Sequence, residues 1–189
     1  MGATFLYSSV SVDGYATGPG GDLTRLHRWL FDFALNREIP FSDEHTERFR
    51  GAGAVVFGRR TWDSGQEPWG DEEVFSAPVF VVTHEERAPI ARNGTVFSFV
   101  SGAATDVLDA ARAAAGDGDV VIMGSPDVAG QFLRAGLVDA LLLHVVPVLL
   151  GGGTRLFGAD PDGPTELRLV SVRPGPEVTA VRYEVDRVT

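Results

Sequence analysis

The chain has no cysteine and no lysine. Without a thiol there is no disulfide, no iron–sulfur cluster and no thiolate zinc site, which accords with a reducing compartment. Without lysine there is no Schiff base and no P-loop lysine; all 16 basic residues are arginine, the bias of GC-rich coding. Long hydrophobic runs are missing too. No stretch approaches the roughly 20 apolar residues of a membrane span. Met1-Gly2-Ala3-Thr4-Phe5 opens without a basic region and passes straight into a strand-like run, so no signal peptide is expected. Gly2 leads into that strand, which argues against myristoylation. A soluble, cytoplasmic protein is expected. Positive charge is scarce, with a formal net charge of −10, so neither nucleic acid nor a membrane is expected as a partner. A small anionic ligand is still allowed, because local arginines can offset the global field.

A domain of 189 residues buries roughly 70% of the surface its unfolded chain exposes, so residues 1–189 are read as one domain held by packing alone. No repeat, low-complexity tract or charge block interrupts it. Strand-like runs alternate with helical patterns, the signature of a sheet covered by helices. Phe5 to Val12 reads as a strand ended by Asp13-Gly14. Leu23, Leu26, Leu30 and Phe33 recur at helical spacing and predict one helix with an apolar face. Ser42 is the expected cap of a second helix, with Asp43 and Glu44 complementing its dipole. Strands are expected over 54–57, 79–82 and 96–99, an alanine-rich helix over 102–115, and a strand over 120–122. The next helix carries full punctuation: Ser125 at the N-cap, Pro126 at the first position, Val128, Phe132 and Leu133 on the buried face, Gly136 at the end. The tail differs. Residues 141–150 predict a long apolar strand with a bulge or an edge at Pro147. Residues 166–172 and 178–185 predict two strands with no helix between them, hence an antiparallel pair. The expected fold is α/β, with a mixed, mostly parallel central sheet and an antiparallel C-terminal end.

In such a sheet ligands lie beyond the C-terminal ends of the strands. Three of those ends carry candidate residues. The first is Gly58-Arg59-Arg60-Thr61. Gly58 lets backbone come close, and two guanidinium forks in a first helical turn, where the macrodipole disfavours cations, suit a bound phosphate. A solvated arginine pair fits the same spacing. The second end is Thr83-His84, whose hydroxyl and imidazole suit an adenosine or a 2′-phosphate. The third is Met123-Gly124-Ser125, leading to a helix N-terminus that can seat a pyrophosphate. Asp127 in that first turn counts against an anion, since it competes for the same dipole. No G-x-G-x-x-G fingerprint accompanies these ends, which argues against an ordinary Rossmann site. His27, His45, His84 and His144 are dispersed and share no ligand spacing, so no metal is expected. No Gly-x-Ser-x-Gly elbow offers a serine nucleophile. Gly151-Gly152-Gly153 predicts a tight loop.

The run Val55-Val56-Phe57-Gly58-Arg59-Arg60-Thr61-Trp62 resembles the cofactor-binding turn of dihydrofolate reductases, in which a strand leads into Gly-Arg-x-Thr-Trp. Val121 to Ser125, continuing through Gln131-Phe132-Leu133, is similar to that family's Gly-Gly turn and following helix. Val79 to Thr83 falls where the family has its adenosine-binding strand. Ser11-Val12-Asp13-Gly14, Gly136-Leu137-Val138-Asp139 and Pro147 to Gly153 are more similar to the reductase domains of riboflavin biosynthesis. The resemblance covers nearly the whole chain. It implies a three-layer dihydrofolate-reductase-like fold, NADPH as cofactor, a small-molecule substrate and a homodimer. It places Ala16, Gly58, Arg59, Arg60, Thr61, Thr83, His84, Met123, Gly124, Ser125, Asp127 and Val128 around the cofactor.

The departures are as informative as the matches. Dihydrofolate reductases carry a buried carboxylate on the first helix, about a turn before a Trp-Phe pair. Aligning on Trp29-Leu30 puts Leu26 there, with His27 beside it. Riboflavin-pathway reductases carry a lysine after the Asp-Gly and a glutamate before the Gly-Gly turn, where this chain has Tyr15 and Met123. The resemblance therefore implies hydride transfer to an unsaturated carbon of a substrate it does not identify. Asp13 and His27 are the leading candidates for supplying the proton, with Tyr15 and Asp22 behind them; His27 has a suitable intrinsic pKa. Turn capping by Asp13 and core packing by His27 are the plainer roles. Trp29, Phe31 and Phe33 can stack on a planar ring or simply pack the core.

Overall fold

A computed structural model of the chain describes residues 2–32, 37–38, 43–67, 69, 75–158, 163–175 and 177–186. In chain order the elements are β1 (Thr4–Ser11), β2 (Tyr15–Thr17), α1 (Thr24–His27), β3 (Phe31–Asp32), β4 (Arg37–Glu38), α2 (Glu44–Arg50), β5 (Ala54–Gly58), α3 (Arg59–Gly65), β6 (Val79–Val82), β7 (Ile90–Arg92), β8 (Thr95–Val100), α4 (Ala104–Ala115), β9 (Val120–Met123), α5 (Pro126–Arg134), β10 (Ala140–Val146), β11 (Thr154–Arg155), β12 (Leu167–Pro174) and β13 (Thr179–Val185). Among the described residues, no helix is long and apolar enough to cross a membrane.

Among the described residues, the central sheet has nine strands in the order β12-β13-β10-β1-β9-β5-β6-β8-β7. From β10 to β8 every neighbouring pair is parallel, and both edges are antiparallel. A parallel strand is covered on both faces, so its side chains must be apolar on both. β5 shows this directly. Ala54 and Val56 pack towards Leu108 and Ala111 of α4 and Phe132 of α5, whereas Val55 and Phe57 pack towards Trp62 of α3, Phe75 and Phe97. Each large side chain buried this way contributes about 1.5–3 kcal/mol. The result is a three-layer α/β fold.

Four local expectations need correction. The helix predicted from Leu23 to Phe33 is a single turn, α1. Leu26 is buried beneath it, and the Trp29 indole N–H donates to Ser9 Oγ at 3.3 Å, anchoring the chain to β1. The aromatic run that follows loses rotamer freedom in a helix, and Phe31 instead pairs in a short strand; Phe33 lies outside the described residues. The cap of α2 is Asp43 rather than Ser42, which also lies outside them. Asp43 Oδ1 accepts from the Thr46 amide at 2.8 Å and Thr46 Oγ1 accepts from the Asp43 amide at 2.8 Å, a reciprocal capping box. β10 stops at Val146, because Pro147 has no amide to continue the ladder. Finally, β7 was not expected. Asn93 and Gly94, with φ of 50° and 82°, join Arg92 to Thr95 in a two-residue hairpin turn.

Gly153 explains the glycine loop. Its φ is 118°, and a Cβ there would run into the Thr17 carbonyl oxygen, so only glycine lets β11 lie against β2. The strand β12 closes one edge and leaves Leu167, Leu169, Val170 and Val172 exposed.

Candidate cofactor and substrate cleft

The chain leaves β5 for β6 in one direction along the sheet. It leaves β9 for β10 in the other, across β1. β5 and β9 are neighbours, so the switch point lies between them, where open α/β sheets bind ligands. A cleft of about 1400 Å³ opens there, larger than the roughly 300–1,000 Å³ of a site for one drug-sized ligand. Gly58, Arg59, Arg60 and Thr61 line it from the β5–α3 junction. Met123, Gly124 and Ser125, with Asp127 and Val128 of α5, line it from the β9–α5 junction. Thr83 and His84 follow β6, Ala16 comes from β2, and His27 from α1. Asp13 is not on the cleft wall.

Ser125 holds the two junctions together. Gly124 and Ser125 both have left-handed φ, 52° and 50°. For glycine this costs nothing; for serine it costs roughly 1–2 kcal/mol. The serine hydroxyl offsets that cost. It does not cap its own helix; its Oγ accepts from the Gly58 amide at 2.7 Å and meets Thr61 Oγ1 at 2.6 Å. Backbone strain held this way clusters at ligand sites.

The arginines are not idle in this structure. Arg59 Nε lies 3.2 Å from Asp63 Oδ2, and its Nη1 pairs with Glu85. Arg60 Nη1 lies 3.3 Å from Asp127 Oδ2, the acid expected to compete with an anion. The Arg59 and Arg60 side chains are 46% and 86% exposed, and such pairs contribute only about 0–1 kcal/mol, so an anion can replace them cheaply.

The proton-donor candidates separate clearly. Asp13 accepts from Ser11 Oγ at 2.6 Å, the Gly151 amide at 2.8 Å and the Leu150 amide at 3.1 Å. The Ser11 hydroxyl and the Gly151 amide hold its carboxyl down at about 2, so it stays ionised and fastens the turn after β1 to the glycine loop. These three bonds give it the turn-fastening role that an Asp-Gly pair suggests. Tyr15 lies under the Arg155 guanidinium, 4.7 Å from ring centroid to Cζ, and Asp22 accepts from the Thr24 amide at 2.9 Å; neither lines the cleft. His27 does. Its ring is crowded by protein although one side reaches the cleft, and burial pushes its pKa down to about 4. At neutral pH it is an uncharged imidazole.

Several cleft residues carry no sequence signal of function. Tyr7, Ser8 and Ser9 line it from the C-terminal half of β1, and Thr46 and Phe49 from α2. In sequence they read as core strand and helix face; only the position of β1 beside the switch point marks them. A half-buried carboxylate also stands behind the cleft, though not at Leu26. It is Asp43, whose Oδ2 lies 2.7 Å from His144 Nε2. Burial pushes the Asp43 carboxyl up, but the hydrogen bonds from His144 and the Thr46 amide outweigh it and hold the group below its usual range.

The RibD C-terminal domain family matches residues 4–181. The chain belongs to that family. It is 23% identical to the uncharacterised protein YwjB of Bacillus subtilis strain 168, across 95% of this chain and 96% of that one. A shorter match, 44% identical over 45 residues, joins it to 13% of the riboflavin biosynthesis protein RibD of Mycobacterium tuberculosis. Among solved structures, a protein ascribed to riboflavin biosynthesis in Shewanella sp. PV-4 superimposes with a TM-score of 0.79 at 23% identity, covering 98% of this chain and 99% of its own. Dihydrofolate reductase from Enterococcus faecalis, solved with NADP(H), gives a TM-score of 0.61 at 15% identity, covering 98% and 97%. The fold is therefore dihydrofolate-reductase-like.

The depressed His27 pKa sets a pH dependence. Between about pH 4 and 6.5 the unfolded chain holds a proton that the folded chain does not, so stability rises with pH across that window and is complete above it. The His27→Asn variant removes this contribution. The stability difference between wild type and variant is expected to grow from pH 4 to pH 7 by on the order of 2–3 kcal/mol, read from urea midpoints. A difference independent of pH contradicts the assignment.

Proposed function

We propose that the chain is an NADPH-dependent reductase that delivers a hydride to an unsaturated C=O or C=N carbon of a small heterocyclic or carbonyl compound. The observation that carries this reading is one cleft at the switch point holding both an arginine pair and a second, capless helix opening. The residues present fit a dinucleotide. Gly124 has nothing within 4 Å of the place a Cβ would occupy, so a diphosphate can approach the backbone. The amides of Asp127 and Val128 at the opening of α5 suit that diphosphate, with Arg60 neutralising Asp127 beside it. Arg59 shares its corner with Thr83, His84 and Glu85, and is the group placed to exchange its carboxylates for a 2′-phosphate. The chemistry a bound nicotinamide supplies is a hydride with its electron pair. The protein's part is to hold a planar acceptor among Tyr7, Trp29 and Phe49 and to hydrogen-bond, through the neutral His27 N–H, the heteroatom that gains negative charge; water reaching the open cleft then supplies the proton that completes the reduction.

A second reading, nucleotide binding without turnover, is favoured by the engagement of Asp13 in the turn after β1 and the uncharged state of His27. Steady NADPH oxidation across pterins, flavins, quinones and aldehydes separates the two: turnover of at least one compound is expected, and binding with turnover of none supports the second. In the same assays Arg59→Ala is expected to weaken NADPH more than NADH by about 1.5–3 kcal/mol, the worth of a charged hydrogen bond. Arg60→Ala is expected to weaken both alike, by leaving Asp127 unopposed. Equal weakening of both coenzymes by Arg59→Ala overturns the 2′-phosphate assignment.

The same proposal includes a homodimer through β12. An open edge strand presents unpaired backbone groups, and this one adds exposed Leu169 and Val172. Sedimentation is expected to give twice the chain mass for wild type and a monomer for Leu169→Glu; a monomeric wild type removes the idea.

A further inference from the structure

Two histidines that look unrelated in sequence meet behind the cleft. His45 lies in the first turn of α2 and His144 on β10, with ring centroids 5.3 Å apart. Asp43, the cap of α2, is bonded to His144 across 101 residues of chain. Each of the three offers a ligand atom, and these atoms lie within 4.8 Å of one another. His45 is 1% exposed, yet among the described residues neither of its ring nitrogens has a hydrogen-bond partner. A buried imidazole with both nitrogens unpaired calls for an explanation, and a missing ion is one of the few available.

We propose that Asp43, His45 and His144 form a binding site for one divalent transition-metal ion of the zinc type. Two imidazoles and a carboxylate suit zinc and its neighbours in the first row, whereas magnesium and calcium favour all-oxygen sets. The adjustment needed is small. Ligand bonds of about 2.0–2.1 Å at a tetrahedral ion set the ligand atoms roughly 3.3 Å apart. The Asp43–His144 contact therefore opens from 2.7 Å, the ion takes the place of the shared proton, and His45 draws inward. The outer shell is already built. The second Asp43 oxygen accepts from the Thr46 amide at 2.8 Å and lies 3.0 Å from the Thr46 hydroxyl, which fixes the carboxylate as an outer shell fixes a ligand.

The ion has a structural consequence for the cleft. It pins α2 to β10 directly behind the aromatic wall. The His144 ring lies 4.3 Å from that of Trp29 and 5.4 Å from that of Tyr7, and Tyr7 stacks on Phe49 at 4.8 Å. Metal occupancy thus sets the rigidity of the substrate end without placing the ion among the reacting atoms.

The test is a binding measurement that needs neither coenzyme nor turnover, so its outcome is separate from the reductase reading. The full chain is stripped with a chelator, dialysed against zinc chloride, and its zinc counted by elemental mass spectrometry. One ion per chain is expected. The unfolding midpoint is expected to rise by about 5–10 °C at a free zinc concentration about 100-fold above Kd. His45→Ala and His144→Ala are each expected to weaken zinc at least about 10- to 100-fold and to abolish that rise. Cobalt(II) provides a second probe, with visible absorption bands of a low-coordinate nitrogen–oxygen site in wild type and none in His45→Ala. Zinc well below one equivalent in wild type, or equal zinc binding by wild type and His45→Ala, overturns the proposal.

Discussion

The site depends on one hydroxyl. Ser125 Oγ bridges the Gly58 amide and the Thr61 hydroxyl, and so couples the end of β5 to the end of β9, 67 residues further along the chain. Without that bridge the left-handed turn at Ser125 is strain with nothing to hold it. With it, the first turns of α3 and α5 keep a fixed distance and face the same cleft. A parallel sheet supplies the crevice by topology alone, but the crevice is only as precise as the contact between its two walls. Here that contact is polar, short and local.

Much of the fold was legible because parallel strands are buried on both faces. Runs such as Val79 to Val82 admit no other assignment once helical spacing is excluded, and the α4 and α5 boundaries follow from Gly116 and Pro126. The hairpin of β7 is also legible in Asn93-Gly94, though that turn signal lies outside any strongly apolar run. The first helix departs from its periodicity for the opposite reason. Leu23, Leu26 and Leu30 do recur at helical spacing, but Trp29 is tied to Ser9 on β1, and a tertiary anchor overrides local periodicity after one turn.

Within the site, the residues that announce themselves are those whose chemistry departs from their surroundings. Arginines at a helix start, a glycine before a serine, and a Thr-His pair beyond a strand all stand out from apolar neighbours. Tyr7, Thr46 and Phe49 do not, because a cleft wall and a core wall ask for the same side chains until the sheet order shows which is which. Asp13 illustrates the reverse case. An Asp-Gly near a strand end reads equally as chemistry or as turn, and its carboxylate is engaged by Ser11, Leu150 and Gly151 in holding two loops together. His45 and His144 share no ligand spacing in sequence, because spacing relates residues on one element, whereas α2 and β10 meet only in the fold.

Charge deserves the same distinction between whole and part. A net charge of −10 looks hostile to a phosphorylated cofactor. Yet at physiological salt the field of distant charges fades within about 8 Å, so the cleft is governed by the groups that line it. The arginines among them are held by carboxylates: Arg59 by Asp63 and Glu85, Arg60 by Asp127. Pairing keeps two guanidinium groups oriented at a helix start that would otherwise repel them, and it does so with contacts weak enough to surrender to a dianion. The released carboxylates return to solvent, where they are well hydrated. An acidic surface and an anion site are therefore compatible, provided the arginines are held by exposed acids and not by half-buried ones. Asp119 shows the other case: it binds Arg48 at 2.7 Å together with the Ala3 amide, and that arginine is locked into the architecture.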